Sequence, residues 1–239
     1  MPDELSVLII AAATIGLFHT LIGPDHYLPF IVMSKSGKWS LRKTTLVTLF
    51  CGLGHVLSSV ILGMIGVAFG VAISKLESVE SFRGNIAAWA MIVFGLLYFI
   101  WGLRQAYRNQ SHQHFHAHNN DITHRHTHSH AEHAEHLHVH KEAKNETITP
   151  WVLFAIFVFG PCEPLIPLLM YPAANLDIWS LIIVTGTFGL VTISTMLSIV
   201  LLSVYGISFL PMSRIERYTH AIAGATILIS GLSIQLLGL

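Results

Sequence analysis

Long stretches without a charged side chain dominate this sequence and restrict the folds open to it. No Asp, Glu, Lys or Arg occurs in residues 44–74, 84–103, 178–213 and 218–239, and a single acid occurs in each of 5–33 and 147–176. A membrane-spanning helix needs roughly 20 apolar residues, so six spans fit. Only 11% of the residues are charged, against about 25% in soluble domains. The chain is therefore predicted to be an integral membrane protein.

The positive charges fall in alternate loops, which predicts the orientation of the chain. The loops after spans 1, 3 and 5 carry eleven Lys and Arg residues: Lys35, Lys38, Arg42, Lys43, Arg104, Arg108, Arg125, Lys141, Lys144, Arg214 and Arg217. The opposite side is expected to hold only Lys75 and Arg83. Because positive loops stay in the cytoplasm, we expect both termini outside and the long third loop inside, in a bacterial inner membrane. The acidic start "MPDEL" lacks the basic first region of a secretory signal, so the first span is expected to be retained.

The sequence repeats itself weakly across its two halves. Gly23-Pro24 precedes Asp25-His26, and Gly160-Pro161 precedes Cys162-Glu163 at the matching place in the second half. Since each half has three spans, the second enters from the opposite face, an inverted repeat common in secondary transporters. The predicted fold is all-α, with six transmembrane helices in two inverted three-helix repeats whose first helices are broken. We expect the first repeat at 1–104, a disordered loop at 105–149 and the second repeat at 150–239.

Polar groups inside the predicted spans are the candidate site. An acid at the bilayer centre costs about 2.5–3.5 kcal/mol on insertion scales, so such groups usually pair or function. Imidazole, carboxylate and thiolate all bind first-row transition metals. We predict a metal site formed by His19, Asp25, His26, His55, Cys162 and Glu163.

Structural roles for the same side chains stay open at this point. His19 and His55 could be core histidines, and Asp25 and His26 could form a purely structural pair. Glu163 could bond to His26, and Cys162 could be a small buried apolar residue.

The predicted third loop contains twelve of the 16 histidines. They are His112, His114, His116, His118, His124, His126, His128, His130, His133, His136, His138 and His140. Alternate residues point the same way only in an extended chain, which favours a set of movable chelators over one fixed cage. Histidine-rich tracts usually bind metal, and we predict that function here. An inert polar spacer is the alternative.

Several of these motifs together resemble the nickel/cobalt transporter group, which includes uptake permeases, efflux proteins of the LysE type and urease-accessory membrane proteins. The resemblance rests on "FHTLIGPDH", "GLGHVLSS" and the Gly-x-x-Glu element at Gly160–Glu163. It implies metal binding by His19, Asp25, His26 and His55. Five residues separate His19 from Asp25 here, where the family motif has four.

This resemblance implies a secondary transporter, with export favoured, and no enzymatic activity. Ni²⁺ or Co²⁺ would be the transported ion, with Zn²⁺ or Fe²⁺ as alternatives. No prosthetic group is expected. The expected partners are the ion, membrane lipid and a cytoplasmic metallochaperone. A net charge of zero gives no support for nucleic-acid binding.

A rival resemblance leads to different chemistry. "GPCEPLIPLL" is similar to the Pro-Cys segment of the transmembrane thiol–disulfide carriers related to cytochrome c biogenesis. Those carriers need two cysteines that can approach each other, whereas the repeat partner of Cys162 is Asp25. A third alternative is a membrane-anchored metal store in which only the histidine-rich loop matters.

Overall fold

The structure is a bundle of helices joined by short connections. In two places a short break divides what would otherwise be one helix into two. The computed structural model describes residues 2–108, 112–117, 123–128, 148–174, 178–209 and 216–237. The helices are α1 (Pro2–Ile22), α2 (Leu28–Ser36), α3 (Leu41–Ala68), α4 (Ile73–Arg108), α5 (Ile148–Phe159), α6 (Leu165–Ala174), α7 (Ile178–Ser208) and α8 (Thr219–Leu237). Two 3₁₀ turns (Pro24–His26, Glu216–Tyr218) and two strands, β1 (His112–Ala117) and β2 (Thr123–His128), complete the described elements.

Five of the described helices are long and apolar enough to cross a membrane: α1, α3, α4, α7 and the helix that ends at Leu237. Their outward faces carry large apolar side chains, such as Leu190 with 69% of its surface exposed and Trp179 with 75%. Exposure on this scale suits lipid and not water. The prediction of a helical, multi-pass membrane protein is confirmed. The remaining predicted span is divided into α5 and α6, each too short to cross alone.

Both predicted helix breaks occur at the Gly-Pro pairs. α1 ends one residue before Gly23, and α5 ends one residue before Gly160. Proline lacks an N–H and clashes with the preceding turn, which accounts for both interruptions. Two further prolines, Pro29 and Pro167, lie in the first turns of α2 and α6. N–H groups there have no intrahelical partner to lose, so these prolines start helices.

Helices from the two halves pack against each other and hold the breaks in the interior. α1 packs on α7, α5 and α6 pack on α3, and α4 packs on α8. The two breaks therefore lie between helices of both halves. Two buried clusters flank this region: Phe30, Phe157 and Met196 belong to the first, and Phe188 and Leu165 belong to the second.

The described part of the histidine-rich segment includes an antiparallel strand pair, β1 and β2. Its register sets His112 opposite His128, His114 opposite His126 and His116 opposite His124. These six alternating histidines therefore lie in extended backbone, as the alternation predicts. The other six predicted loop ligands, His118, His130, His133, His136, His138 and His140, lie outside the described residues.

The contact between α4 and α8 is the closest in the bundle, because glycines remove the side chains between the two backbones. A Cβ at Gly224 of α8 would overlap the backbone nitrogen of Phe99. A Cβ at Gly102 of α4 would likewise overlap the backbone of Ala221. Small residues allow such approach in membranes, where van der Waals packing drives helix association.

We predict that Gly224→Val destabilises the bundle by about 1–3 kcal/mol or more, because overpacking forces the two backbones apart. Gly186→Val is the matched control, since nothing lies within 4 Å of a Cβ there. The measurement is the unfolding midpoint of the purified protein in mixed micelles. Equal midpoints for the two variants would contradict the close contact.

Candidate functional site

Three histidines from α1, the first break and α3 meet at the centre of the molecule. The ring centroid of His19 lies 4.6 Å from that of His26 and 6.2 Å from that of His55. The rings of His26 and His55 are 5.1 Å apart. Residues from two different helices and a break thus form one imidazole cluster, as the sequence predicted. His26 and His55 are each only 3% exposed.

The second break brings Cys162 to the same cluster. The thiol of Cys162 and one ring nitrogen each of His19 and His55 all lie within 4.8 Å of one another. Cys162 itself is fully buried.

The glycine of each break leaves room for one of these rings. A Cβ at Gly160 would lie 3.2 Å from Nδ1 of His55, and one at Gly23 would lie 2.6 Å from Nδ1 of His26. The Gly-Pro pairs therefore interrupt the helices and also let imidazoles approach the backbone.

Most ring nitrogens in the cluster have no hydrogen-bond partner. Nε2 of His19, Nε2 of His26 and both ring nitrogens of His55 are buried and unpaired. The Phe157 carbonyl lies near the His55 ring without the geometry of a hydrogen bond. Because buried polar atoms are nearly always paired, this concentration of unpaired nitrogens separates the cluster from ordinary core histidines.

His26 is oriented by the first break. Its Nδ1 lies 3.2 Å from the Gly23 carbonyl and 3.2 Å from Oδ1 of Asp25. Both neighbours are acceptors, so the ring that suits them carries its proton on Nδ1. Nε2 then keeps its lone pair. Asp25 and His26, which are adjacent in sequence, therefore form a hydrogen-bonded pair.

A cavity of about 640 Å³ opens onto the cluster. His19, Asp25, His26, His55 and Glu163 all line it. Glu163 is exposed in the structure, and its carboxylate is not among the atoms that converge with the Cys162 thiol. Five of the six predicted site residues thus share the cavity wall, and the sixth, Cys162, lies buried behind it.

The second cysteine lies outside the cluster. Cys51 is 1% exposed and packs in the first apolar cluster. It precedes His55 by four residues on α3, which is about one helical turn, and it borders Trp151 and Phe154 of α5. Both cysteines carry free thiols.

Sequence reasoning missed the charged pair that supports the second break. Lys75 and Arg83 were expected in a loop, but α4 begins at Ile73, so both are helical. Arg83 forms an ion pair with Glu80, whose side chain is fully buried. The i, i+3 spacing of opposite charges beside an apolar run was the available signal.

This ion pair replaces a backbone hydrogen bond that the break removes. In a continuous helix the N–H of Cys162 would donate to the carbonyl of Val158, four residues earlier. Here Arg83 donates to that carbonyl at 2.7 Å through Nη2. Glu80 accepts from the Cys162 N–H at 3.3 Å through Oε2. In lipid every backbone group needs such a partner, so the pair makes the break possible.

Hydroxyl groups of α3 complete the coordination of the guanidinium. Arg83 donates to Ser58 at 2.7 Å and to Ser59 at 3.5 Å. The two serines therefore have a polar role at the contact between α3 and α4. α3, α4 and the end of α5 are thereby joined around one charge.

Fold and site together define a multi-pass helical membrane protein with imidazole, carboxylate and thiol groups at its centre. The chain belongs to the family described as cytochrome C biogenesis protein transmembrane region, which matches residues 28–233. No curated protein and no solved structure matches the chain.

The family match corrects two predictions made from the sequence. The resemblance to nickel/cobalt transporters was wrong, and so was the function inferred from it, secondary transport of a divalent transition metal. The rival resemblance of "GPCEPLIPLL" to thiol–disulfide carriers indicated the right family. Short motifs of His, Asp and Gly in apolar sequence misled because many membrane proteins place such residues at helix breaks.

We predict that Arg83→Gln lowers the free energy of unfolding by about 3–5 kcal/mol, because it leaves the buried Glu80 carboxylate unpaired. Lys38→Gln is the control: Lys38 and Glu216 are 3.6 Å apart with both side chains exposed, and exposed pairs contribute about 0–1 kcal/mol. Denaturant titration in micelles measures both. If Arg83→Gln lowered the free energy of unfolding as little as Lys38→Gln does, the Glu80–Arg83 pair would not support the break.

Proposed function

We propose that this protein is a transmembrane thiol–disulfide carrier of the cytochrome c biogenesis class, with Cys162 and Cys51 as its redox pair. The observation that carries the proposal is the family match, which includes both cysteines. Each half of the chain contributes one of them, as a carrier built from two halves requires.

Cys162 has the features of the primary thiol. It follows Pro161 directly at a helix break, and its backbone N–H is fixed by Glu80. Its sulfur lies within reach of a ring nitrogen of His55. A thiolate, not a thiol, attacks a disulfide, and a neighbouring imidazole can take the proton.

Cys51 is the second thiol in this proposal. The position in the first half that corresponds to Cys162 carries Asp25, so the partner has to come from elsewhere, and the chain holds only two cysteines. Cys51 is one turn from His55 on the same helix face. A disulfide requires Cα atoms within about 7 Å, and Cys51 and Cys162 belong to different buried clusters. The proposed carrier cycle therefore includes a shift of the Gly160–Pro164 break relative to α3.

The reaction balances as two thiol–disulfide exchanges. A reduced protein dithiol on one side of the membrane attacks the Cys51–Cys162 disulfide, forms a mixed disulfide and leaves as an oxidised disulfide. The two cysteines have then gained two electrons and two protons. They next reduce a protein disulfide on the other side and return to the oxidised form. The free thiols of the structure correspond to the reduced form.

The proposal includes an architecture of six spans in two inverted halves. It is supported by the same order in both halves: a first helix, a break at Gly-Pro, a short helix and two long helices. Packing of α1 on α7 and of α5 on α3 relates the halves in the same way. The proposed orientation follows from the positive loops, with both termini outside and the histidine-rich segment in the cytoplasm.

We expect Cys51→Ser and Cys162→Ser each to reduce transfer between a dithiol protein in the lumen of proteoliposomes and a disulfide protein outside to the background rate. Each variant lacks one of the sulfurs that the exchange requires. The measurement is the rate of thiol appearance outside. Ser78→Ala, an exposed position on α4, serves as the control.

The Cys51→Ser variant provides a second test. Without its resolving thiol, Cys162 should attack the disulfide of the oxidised partner protein and accumulate as a mixed disulfide with it, visible on a non-reducing gel. Full transfer by Cys51→Ser would eliminate this redox pair. No transfer by the wild-type protein would overturn the proposed function.

A further inference from the structure

We infer that His19, His55 and Cys162 form a resident binding site for a soft transition-metal ion. The site is distinct from any transported cargo, and its three donors come from α1, α3 and the second break. The proposed thiol exchange also uses Cys162, so ion binding and disulfide formation at that sulfur exclude each other.

The spacing of the three donors is close to that around a bound ion. The two nitrogens and the sulfur lie within 4.8 Å of one another. With bonds of about 2.0–2.1 Å to nitrogen and 2.3 Å to sulfur, neighbouring donors of a three-coordinate ion are about 3.8 Å apart. The atoms therefore have to close by up to about 1 Å to bind an ion.

The unpaired nitrogens are the second, independent observation. Four imidazole nitrogens of this cluster are buried without a hydrogen-bond partner, and one nitrogen each of His19 and His55 converges on the Cys162 thiol. A polar group taken out of water without a partner carries a free-energy penalty. A metal ion that accepts a lone pair from two of these rings removes that penalty at a single point, which no side chain in the described part of the chain does.

His26 is placed to act as a fourth ligand. Its Nδ1 faces two acceptors, Gly23 and Asp25, and its unpaired Nε2 belongs to a ring 4.6 Å from His19 and 5.1 Å from His55. A ligating histidine commonly donates its other N–H to a carboxylate or a carbonyl. The first break supplies that arrangement before any ion binds.

The donor set and the surroundings select the kind of ion. Thiolate and imidazole together favour Cu⁺ and Zn²⁺ over Mg²⁺ and Ca²⁺. Charge does not separate these two ions, because the carboxylate of Asp25 beside His26 can offset the second positive charge of Zn²⁺. The site therefore fits both Cu⁺ and Zn²⁺.

The test exploits the absence of sulfur from the histidine-rich segment, since residues 105–149 contain neither Cys nor Met. The full-length protein in micelles is stripped with chelator under reductant. It is then loaded with one equivalent of Cu⁺ alone or, in a separate sample, of Zn²⁺ alone. X-ray absorption at the metal edge reports whether the ion has a sulfur neighbour. An ion bound only by the segment would show nitrogen alone.

We expect one sulfur neighbour at about 2.2–2.3 Å in wild-type protein and in the Cys51→Ser control. Cys162→Ser should lose that sulfur signal. His55→Ala should weaken binding of the sulfur-bound ion by about 100-fold or more, beyond the 10–100-fold typical of outer-shell changes.

Wild-type protein without a metal–sulfur signal for either ion would overturn the proposal, whatever the variants do. Retention of the signal in Cys162→Ser would also overturn it, because the sulfur would then belong to another residue.

The two proposals fail separately. Cys51→Ser removes thiol transfer and leaves the metal site intact, whereas His19→Ala removes a metal ligand and leaves both thiols in place. A protein that binds Cu⁺ through sulfur but transfers no electrons disproves only the carrier. A protein that transfers electrons and gives no metal–sulfur signal disproves only the metal site.

Discussion

The ion pair of Glu80 and Arg83 is the interaction on which the centre of this molecule depends. A helix that stops inside a membrane leaves a carbonyl and an N–H without partners, and lipid supplies none. The guanidinium takes the Val158 carbonyl and the carboxylate takes the Cys162 N–H. The two charged side chains thus replace the missing hydrogen bond between the Cys162 N–H and the Val158 carbonyl, and their charges neutralise each other. Without this pair the second break, and with it the position of Cys162, would have no support.

At the first break an uncharged side chain supplies the missing hydrogen bond, and this difference affects the site. The Leu21 carbonyl, freed where α1 ends, accepts from the Tyr27 hydroxyl at 3.3 Å. No buried charge is needed there, so the ionisable groups of that break, Asp25 and His26, face the cavity instead. The two breaks therefore contribute different sets of groups: a carboxylate and an imidazole from the first, and a buried thiol with the exposed carboxylate of Glu163 from the second. An inner surface with both kinds of group can support proton transfer, thiol exchange and soft-metal binding in a small volume.

Much of the fold follows from the sequence, since apolar runs and Gly-Pro pairs act locally. The helical membrane character and both interruptions could be predicted because they depend on neighbours in the chain. The gathering of His19, His26 and His55 was also predictable, from the cost of leaving such groups in lipid. Glu80 and Arg83 could not be placed, because charge near a span end is equally typical of a loop. Their role depends on a carbonyl some 75 positions away, and no local pattern encodes that contact.

The length of α4 gives the buried pair an effect beyond its own surroundings. The helix has 36 residues, about 54 Å at 1.5 Å per residue. It contacts the second break through Glu80 and Arg83, near its first end, and it ends at Arg108, just before the histidine-rich segment. Because the backbone of α4 also touches that of α8 at Gly102 and Gly224, any shift of the second break that moves α4 would have to move α8 with it.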